Sequence, residues 1–178
     1  AFAADPHAYV KLWKHHGATR EADEINALAA ARGEEWLSAY GGTVSCEWML
    51  PKILETLRAS PAVFDATHRF TEAADWVSRM LTGSETHAAA FAGYKGLWHD
   101  GAYPSDEFLT ALDPALSGLI GTRVSPRVDP VGGIAGRLNA RGAALTGLSA
   151  GTPVALPMID AHAALPALGM TRAGDLTV

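Results

Sequence analysis

The chain has 178 residues, 48% of them hydrophobic and 19% charged, which describes a globular polypeptide and excludes disordered and fibrous classes. At that length a single core buries about 70% of the unfolded surface without staples. Fourteen basic residues against nineteen acidic ones leave a net charge of -5, and no Lys/Arg cluster is dense enough to neutralise a row of phosphates, so nucleic acid is excluded as a partner.

Cys46 is the sole cysteine, so there is no internal disulfide framework, and a reducing, cytoplasmic setting is expected. No stretch approaches about 18 consecutive apolar residues, and no membrane partner is expected. The opening residues, Ala1 to Pro6, have neither an initiator Met nor the basic start and apolar core of a signal peptide, and they read as an interior cut. No fixed period of repeats emerges.

The first predicted element is a helix from Ala18 to Tyr40. Ile25, Leu28, Ala29, Trp36, Leu37 and Tyr40 fall near one stripe, and Gly41-Gly42 supplies the stop. A second helix is predicted from Ser45 as N-cap, through Leu50, Ile53, Leu54 and Leu57 towards Pro61, with Pro51 tolerated only near the first turn. A third, from Asp75 to Leu81, ends at Gly83 and points Trp76, Val77, Met80 and Leu81 inward. From Ser84 to Trp98 small residues dominate, and Ala92-Gly93-Tyr94-Lys95 reads as a strand or loop that lets a backbone or ligand approach.

Ser105 then caps a helix over 106–112 that stops at Asp113-Pro114. Gly118 to Gly136 reads as loop and short strands, and Asn139 caps a helix ending at Gly147. A buried strand from Val154 to Ile159, bounded by Gly151-Thr152-Pro153, delivers Asp160 to its end. Helices alternating with short strands indicate an α/β fold.

Two side chains carry the candidate chemistry. At the end of a strand, Asp160 is either a helix cap or a general base aimed into a cleft, because an unpaired buried carboxylate costs several kcal/mol. The ammonium of Lys95 sits between small and apolar flanks, as in a pocket wall, and offers three donors to a sugar oxygen or a phosphate, although a surface lysine is the ordinary alternative. His162, two residues after Asp160, reads as packing. The other six histidines, at 7, 15, 16, 68, 87 and 99, fall into no zinc spacing, and no metal ligand is assigned.

Other motifs carry less. Gly147-Leu148-Ser149-Ala150-Gly151 spells G-x-S-x-G, but a hydrolase elbow needs strand, turn, helix, and here the order is reversed. Gly132-Gly133-Ile134-Ala135-Gly136 lacks the Lys-Ser/Thr ending of a phosphate loop and reads as a turn. The five tryptophans, at 13, 36, 48, 76 and 98, read as core or domain-interface anchors.

Several blocks together resemble the ribulokinase branch of the FGGY carbohydrate kinases. They are Pro6 to His16, Tyr40-Gly41-Gly42, Glu47 to Lys52, Glu72 to Trp76, Leu81-Thr82-Gly83, Ala92 to Lys95 and the segment from Gly151 to His162. The resemblance runs the length of the chain. It implies part of an actin-like, ribonuclease H-like kinase domain, helix-rich, with residues 1–178 forming the interior and C-terminal part of the sugar-binding N-terminal domain.

The activity it implies is transfer of the γ-phosphate of ATP, with Mg²⁺, to the 5-hydroxyl of L-ribulose, a step of L-arabinose catabolism. Asp160 matches the family's catalytic base and Lys95 its ketopentose-binding lysine, Asp160 also touching the sugar. Phosphoryl transfer depends mainly on positioning and charge stabilisation, which such a base serves by orienting the attacking hydroxyl.

Two departures accompany the resemblance. Pro157-Met158 stand where family members commonly have Gly-Asn, and a proline there implies that the strand lies at an edge or ends early. The family's Asp-x-Gly-Thr phosphate loop and its nucleotide-binding domain have no counterpart here, so the chain is expected to be a kinase fragment, inactive alone, with the nucleotide-binding domain as its missing partner. The alternative is a non-catalytic sugar-binding or interaction remnant. Association between copies is left open.

Overall fold

A computed structural model describes residues 2–170, 172 and 174. The chain divides into two compact units, residues 1–71 with 92–127 and residues 72–91 with 128–178. Ala1, Thr171, Ala173 and Asp175 to Val178 lie outside the described residues.

The first unit is helical. Its elements are α1 (Thr19–Arg32), α2 (Trp36–Ala39), α3 (Met49–Ala59) and α4 (Pro61–Ala66), followed later in the chain by α7 (Asp106–Leu112) and the kinked turn α8 (Leu119–Thr122). The predicted 18–40 helix is therefore two helices. Gly33 takes the left-handed conformation (φ 66°), which ends α1 and lets the chain turn before Trp36. The stripe itself packs as expected: Ile25 and Ala29 are buried in the core, with Leu28, Trp36, Leu37 and Tyr40 against it.

The second helix starts at Met49, four residues after Ser45, whose hydroxyl accepts only from Glu47 N in the preceding turn. Pro51 is then the third residue of α3, where a backbone N–H has no intrahelical partner to lose. Ser60 ends α3 and precedes Pro61, the first residue of α4. Ser105 caps α7 as predicted, its Oγ 3.1 Å from Phe108 N, a device worth about 1 kcal/mol. Ile25, Leu54, Leu97, Phe108, Leu109, Leu116 and Val124 form the centre of this unit's core, with Trp36 edge-on to Phe108 at 5.3 Å.

The second unit holds α5 (Ala73–Thr82), β1 (Ile134–Arg137), α9 (Ala140–Thr146), β2 (Pro153–Ala155) and α10 (Asp160–Ala164). The chain passes from this unit back to the first inside α6 (Ala89–Lys95). The two strands pair antiparallel, Ile134 with Ala155 and Arg137 with Pro153, with a bulge between Ile134 and Gly136. Asn139 caps α9 as predicted, its Oδ1 2.8 Å from Gly142 N, and Gly147 ends it.

Two expectations are overturned in this unit. Trp76 and Val77 are exposed, because the side of α5 that turns inward carries Asp75 and Ser78. The buried Asp75 carboxylate accepts from Thr86 Oγ1 (2.9 Å) and Ala88 N (3.1 Å), which fixes the helix's rotation. The strand predicted over 154–159 shortens to three residues and is not buried: a two-stranded sheet has only edges, and Pro157 has no N–H with which to continue the ladder. In the first unit, Ala92 to Lys95, read as strand or loop, are helical instead, and of the tryptophan anchors Trp13 joins Trp76 in being exposed.

Candidate functional site

Lys95 is the last residue of α6 and belongs to the first unit; Asp160 belongs to the second. The surroundings of each follow from its own unit.

Past Lys95 the helix ends abruptly. Gly96 N and Trp98 N both donate to the Ala92 carbonyl (3.1 and 3.0 Å), and Leu97 between them has φ 61°. A non-glycine residue in that region costs about 1–2 kcal/mol. Here the cost is offset by the Leu97 side chain, which is 1% exposed in the hydrophobic core. A second left-handed residue, Asp100 (φ 49°), follows in the 99–102 turn closed by His99 and Ala102. Lys95 is half-buried, with Nζ 5.9 Å from the centroid of the Tyr94 ring.

The turn is buttressed by aromatic residues from elsewhere in the unit. Tyr94 leans on Trp48 (6.2 Å between centroids), Trp48 meets Tyr40 edge-on (5.3 Å), and His99 lies 6.4 Å from Tyr40. The Tyr40 hydroxyl is 2.9 Å from the Gly93 carbonyl oxygen and 3.2 Å from that of Trp98. Burial pushes the Tyr40 phenol above its ordinary pKa, so it stays a donor. Periodicity places Tyr40 on a helix stripe but carries no signal for these partners, which lie more than fifty residues away. A shallow cavity of about 270 Å³ in this unit is lined by residues that include Tyr103, Pro104, Leu109, Ile120 and Pro126.

Asp160 opens α10 just after Leu156-Pro157-Met158-Ile159, and Ile159 takes the cap position. The cap reading is thus off by one residue. Asp160 is exposed, and its Oδ1 accepts from the adjacent Ala161 N (2.8 Å). His162 is exposed two residues later, which corrects the packing reading. Ser149 lies in a turn that runs from helix to strand, the reverse of a hydrolase elbow.

Among the described residues no group of three or more His, Cys, Asp or Glu is placed to hold an ion. Gly132-Gly133 forms a turn between Asp129 and β1 with no lysine at its end. No helix among the described residues is long and apolar enough to cross a membrane.

No family model matches the chain. It is 46% identical over 179 aligned positions to the ribulokinase of Geobacillus thermodenitrificans, covering 99% of this chain and 32% of that protein. The ribulokinase of Bacillus licheniformis is 41% identical, with 98% and 32% covered, and that of Mycolicibacterium smegmatis 45%, with 98% and 31% covered. Among solved structures, a xylulose kinase from Rhodospirillum rubrum superimposes with a TM-score of 0.70 at 29% identity, over 90% of this chain and 31% of that one. A xylulose kinase from Brucella ovis, at 23% identity and a TM-score of 0.70 over 92% of this chain and 32% of that one, shows the fold alone. The chain spans about a third of the length of the curated relatives it matches. From end to end, then, this chain is similar to about a third of the length of the ribulokinases, and it is a helix-rich α/β segment with the fold of FGGY-type sugar kinases.

Proposed function

We propose that the complete gene product phosphorylates L-ribulose at its 5-hydroxyl, with ATP as phosphoryl donor, and that residues 1–178 belong to its sugar-binding domain. The observation that carries this reading is the match to ribulokinases across 98–99% of the chain. Asp160 serves as the base: its exposed carboxylate accepts the proton of the attacking hydroxyl. Lys95 donates to a sugar oxygen, its ammonium carried on a turn held rigid by core packing. Mg²⁺, held with ATP by residues other than those described, supplies charge neutralisation on the phosphates. The 178-residue chain alone does not turn over, since it spans only about a third of the length of the ribulokinases it matches.

The test is Asp160→Asn in the complete gene product. Turnover is expected to fall by about 10²-fold or more, the usual contribution of a general base, while L-ribulose binding measured by calorimetry changes little. Unchanged turnover would remove Asp160 from the mechanism, and ATP-dependent turnover by the isolated chain would refute the division of labour.

A further inference from the structure

We infer that Tyr40 is a positioning residue for Lys95, and that it sets the affinity of the sugar site by locking the turn that carries the lysine. The inference rests on the reading of Lys95 as a sugar ligand.

The geometry singles out one hydroxyl. Tyr40 Oη donates a three-centre hydrogen bond to the carbonyls of Gly93 and Trp98, at 2.9 and 3.2 Å, which bracket Lys95 two residues before it and three after. It therefore ties the last turn of α6 to the chain that leaves it. The same ring presses on Trp48, and Trp48 on Tyr94, the neighbour of Lys95 over whose ring Nζ lies. One side chain thus restrains the backbone on both sides of the lysine and, through two rings, the direction of its stem. Such a restraint is needed because Leu97 and Asp100 hold conformations that relax once outside support is withdrawn. A tyrosine with only a packing role would need no acceptor there, and phenylalanine would fill the space equally well.

A lysine that binds a neutral sugar has only hydrogen bonds with which to do so. These weaken steeply when the donor strays in direction. Locking the turn places the ammonium in advance, so the sugar does not bear the ordering cost on binding. The effect should appear in sugar affinity and leave the phosphoryl donor untouched.

The experiment compares Tyr40→Phe, Lys95→Ala and the double variant in the complete gene product, with L-ribulose and ATP varied separately. Tyr40→Phe is expected to raise KM for the sugar by about five- to tenfold, the effect of one neutral hydrogen bond, with KM for ATP unchanged and kcat altered less than KM. In the Lys95→Ala background the same substitution should change sugar KM by less than about twofold, because the group it positions is gone. Hydrogen exchange of the peptide spanning Gly93 to Trp98 should speed up in Tyr40→Phe at an unchanged global melting temperature.

Additive effects in the double variant would overturn the inference while leaving Lys95 as a sugar ligand. So would a Tyr40→Phe protein with wild-type sugar KM, or one with unaltered exchange at Gly93 to Trp98. A Lys95→Ala protein with wild-type sugar KM would overturn the reading of Lys95 itself, and the inference with it.

Discussion

Asp75 and Glu55 are two carboxylates whose environments push in opposite directions. Burial raises the pKa of Asp75, only partly opposed by hydrogen bonds from Thr86 and Ala88. Its folded value lies above the unfolded one near 3.9, so its protonated form stabilises the fold at low pH and that contribution is lost as pH rises through the folded value. Replacing Asp75 by Asn should keep the acceptor for Thr86 and Ala88, whereas Ala should cost about 1–3 kcal/mol by stranding both donors. Urea unfolding at neutral pH separates the two, and equal losses would show that the hydrogen bonds do not matter.

For Glu55 burial is the largest single influence and acts upward, yet hydrogen bonds from Lys11 and His15 together outweigh it and hold the carboxyl below its ordinary range. The sign is therefore reversed. The stabilisation is present above the unfolded value near 4.3 and disappears as pH falls through the folded one. Glu55→Gln should flatten the fall in stability below about pH 4.3, as followed by thermal melts across pH; an unchanged acid limb would mean the cluster adds nothing.

Among the elements, the packing of α9 on α5 rests on one missing side chain. A Cβ at Gly142 would collide with the carbonyl oxygen of Leu81 and press on Leu138 Cδ2 at 3.1 Å. Asn139 N also donates to that Leu81 carbonyl (3.1 Å), so the helix start and the helix contact share one anchor. Gly142→Ala should therefore destabilise the second unit, by about 1–3 kcal/mol as an overpacking change, even though alanine is the better helix former. A rise in melting temperature would mean that propensity outweighs the clash. The caps at Ser105 and Asn139 were legible in the sequence because a cap is local, a side-chain oxygen two or three residues from the amide it satisfies. The break at Gly33 was not, because apolar residues on both sides of it continue one stripe.

At the scale of the whole chain, the α/β class and the kinship with sugar kinases were readable from blocks spread along the sequence, and the match to ribulokinases covers those same blocks. The blocks are legible because each combines special residues, such as a glycine stop, an aromatic and a charge, at fixed spacing. The division into two compact units was not readable, since each is assembled from two separated stretches and no composition shift marks the joins at 71/72, 91/92 and 127/128.

By itself the sequence determined what depends on near neighbours: the caps at Ser105 and Asn139, the glycine stops at Gly83 and Gly147, the core stripe of Ile25 and Ala29, and the identity of Lys95 and Asp160 as candidates. The tertiary structure alone decided which face of α5 is buried, because the choice turned on Asp75 finding donors at Thr86 and Ala88. It alone joined Tyr40 to the turn of Lys95. Both are hydrogen bonds whose partners lie far beyond the reach of local periodicity, and a periodic pattern records how hydrophobic a position is, not which distant group will satisfy a polar one.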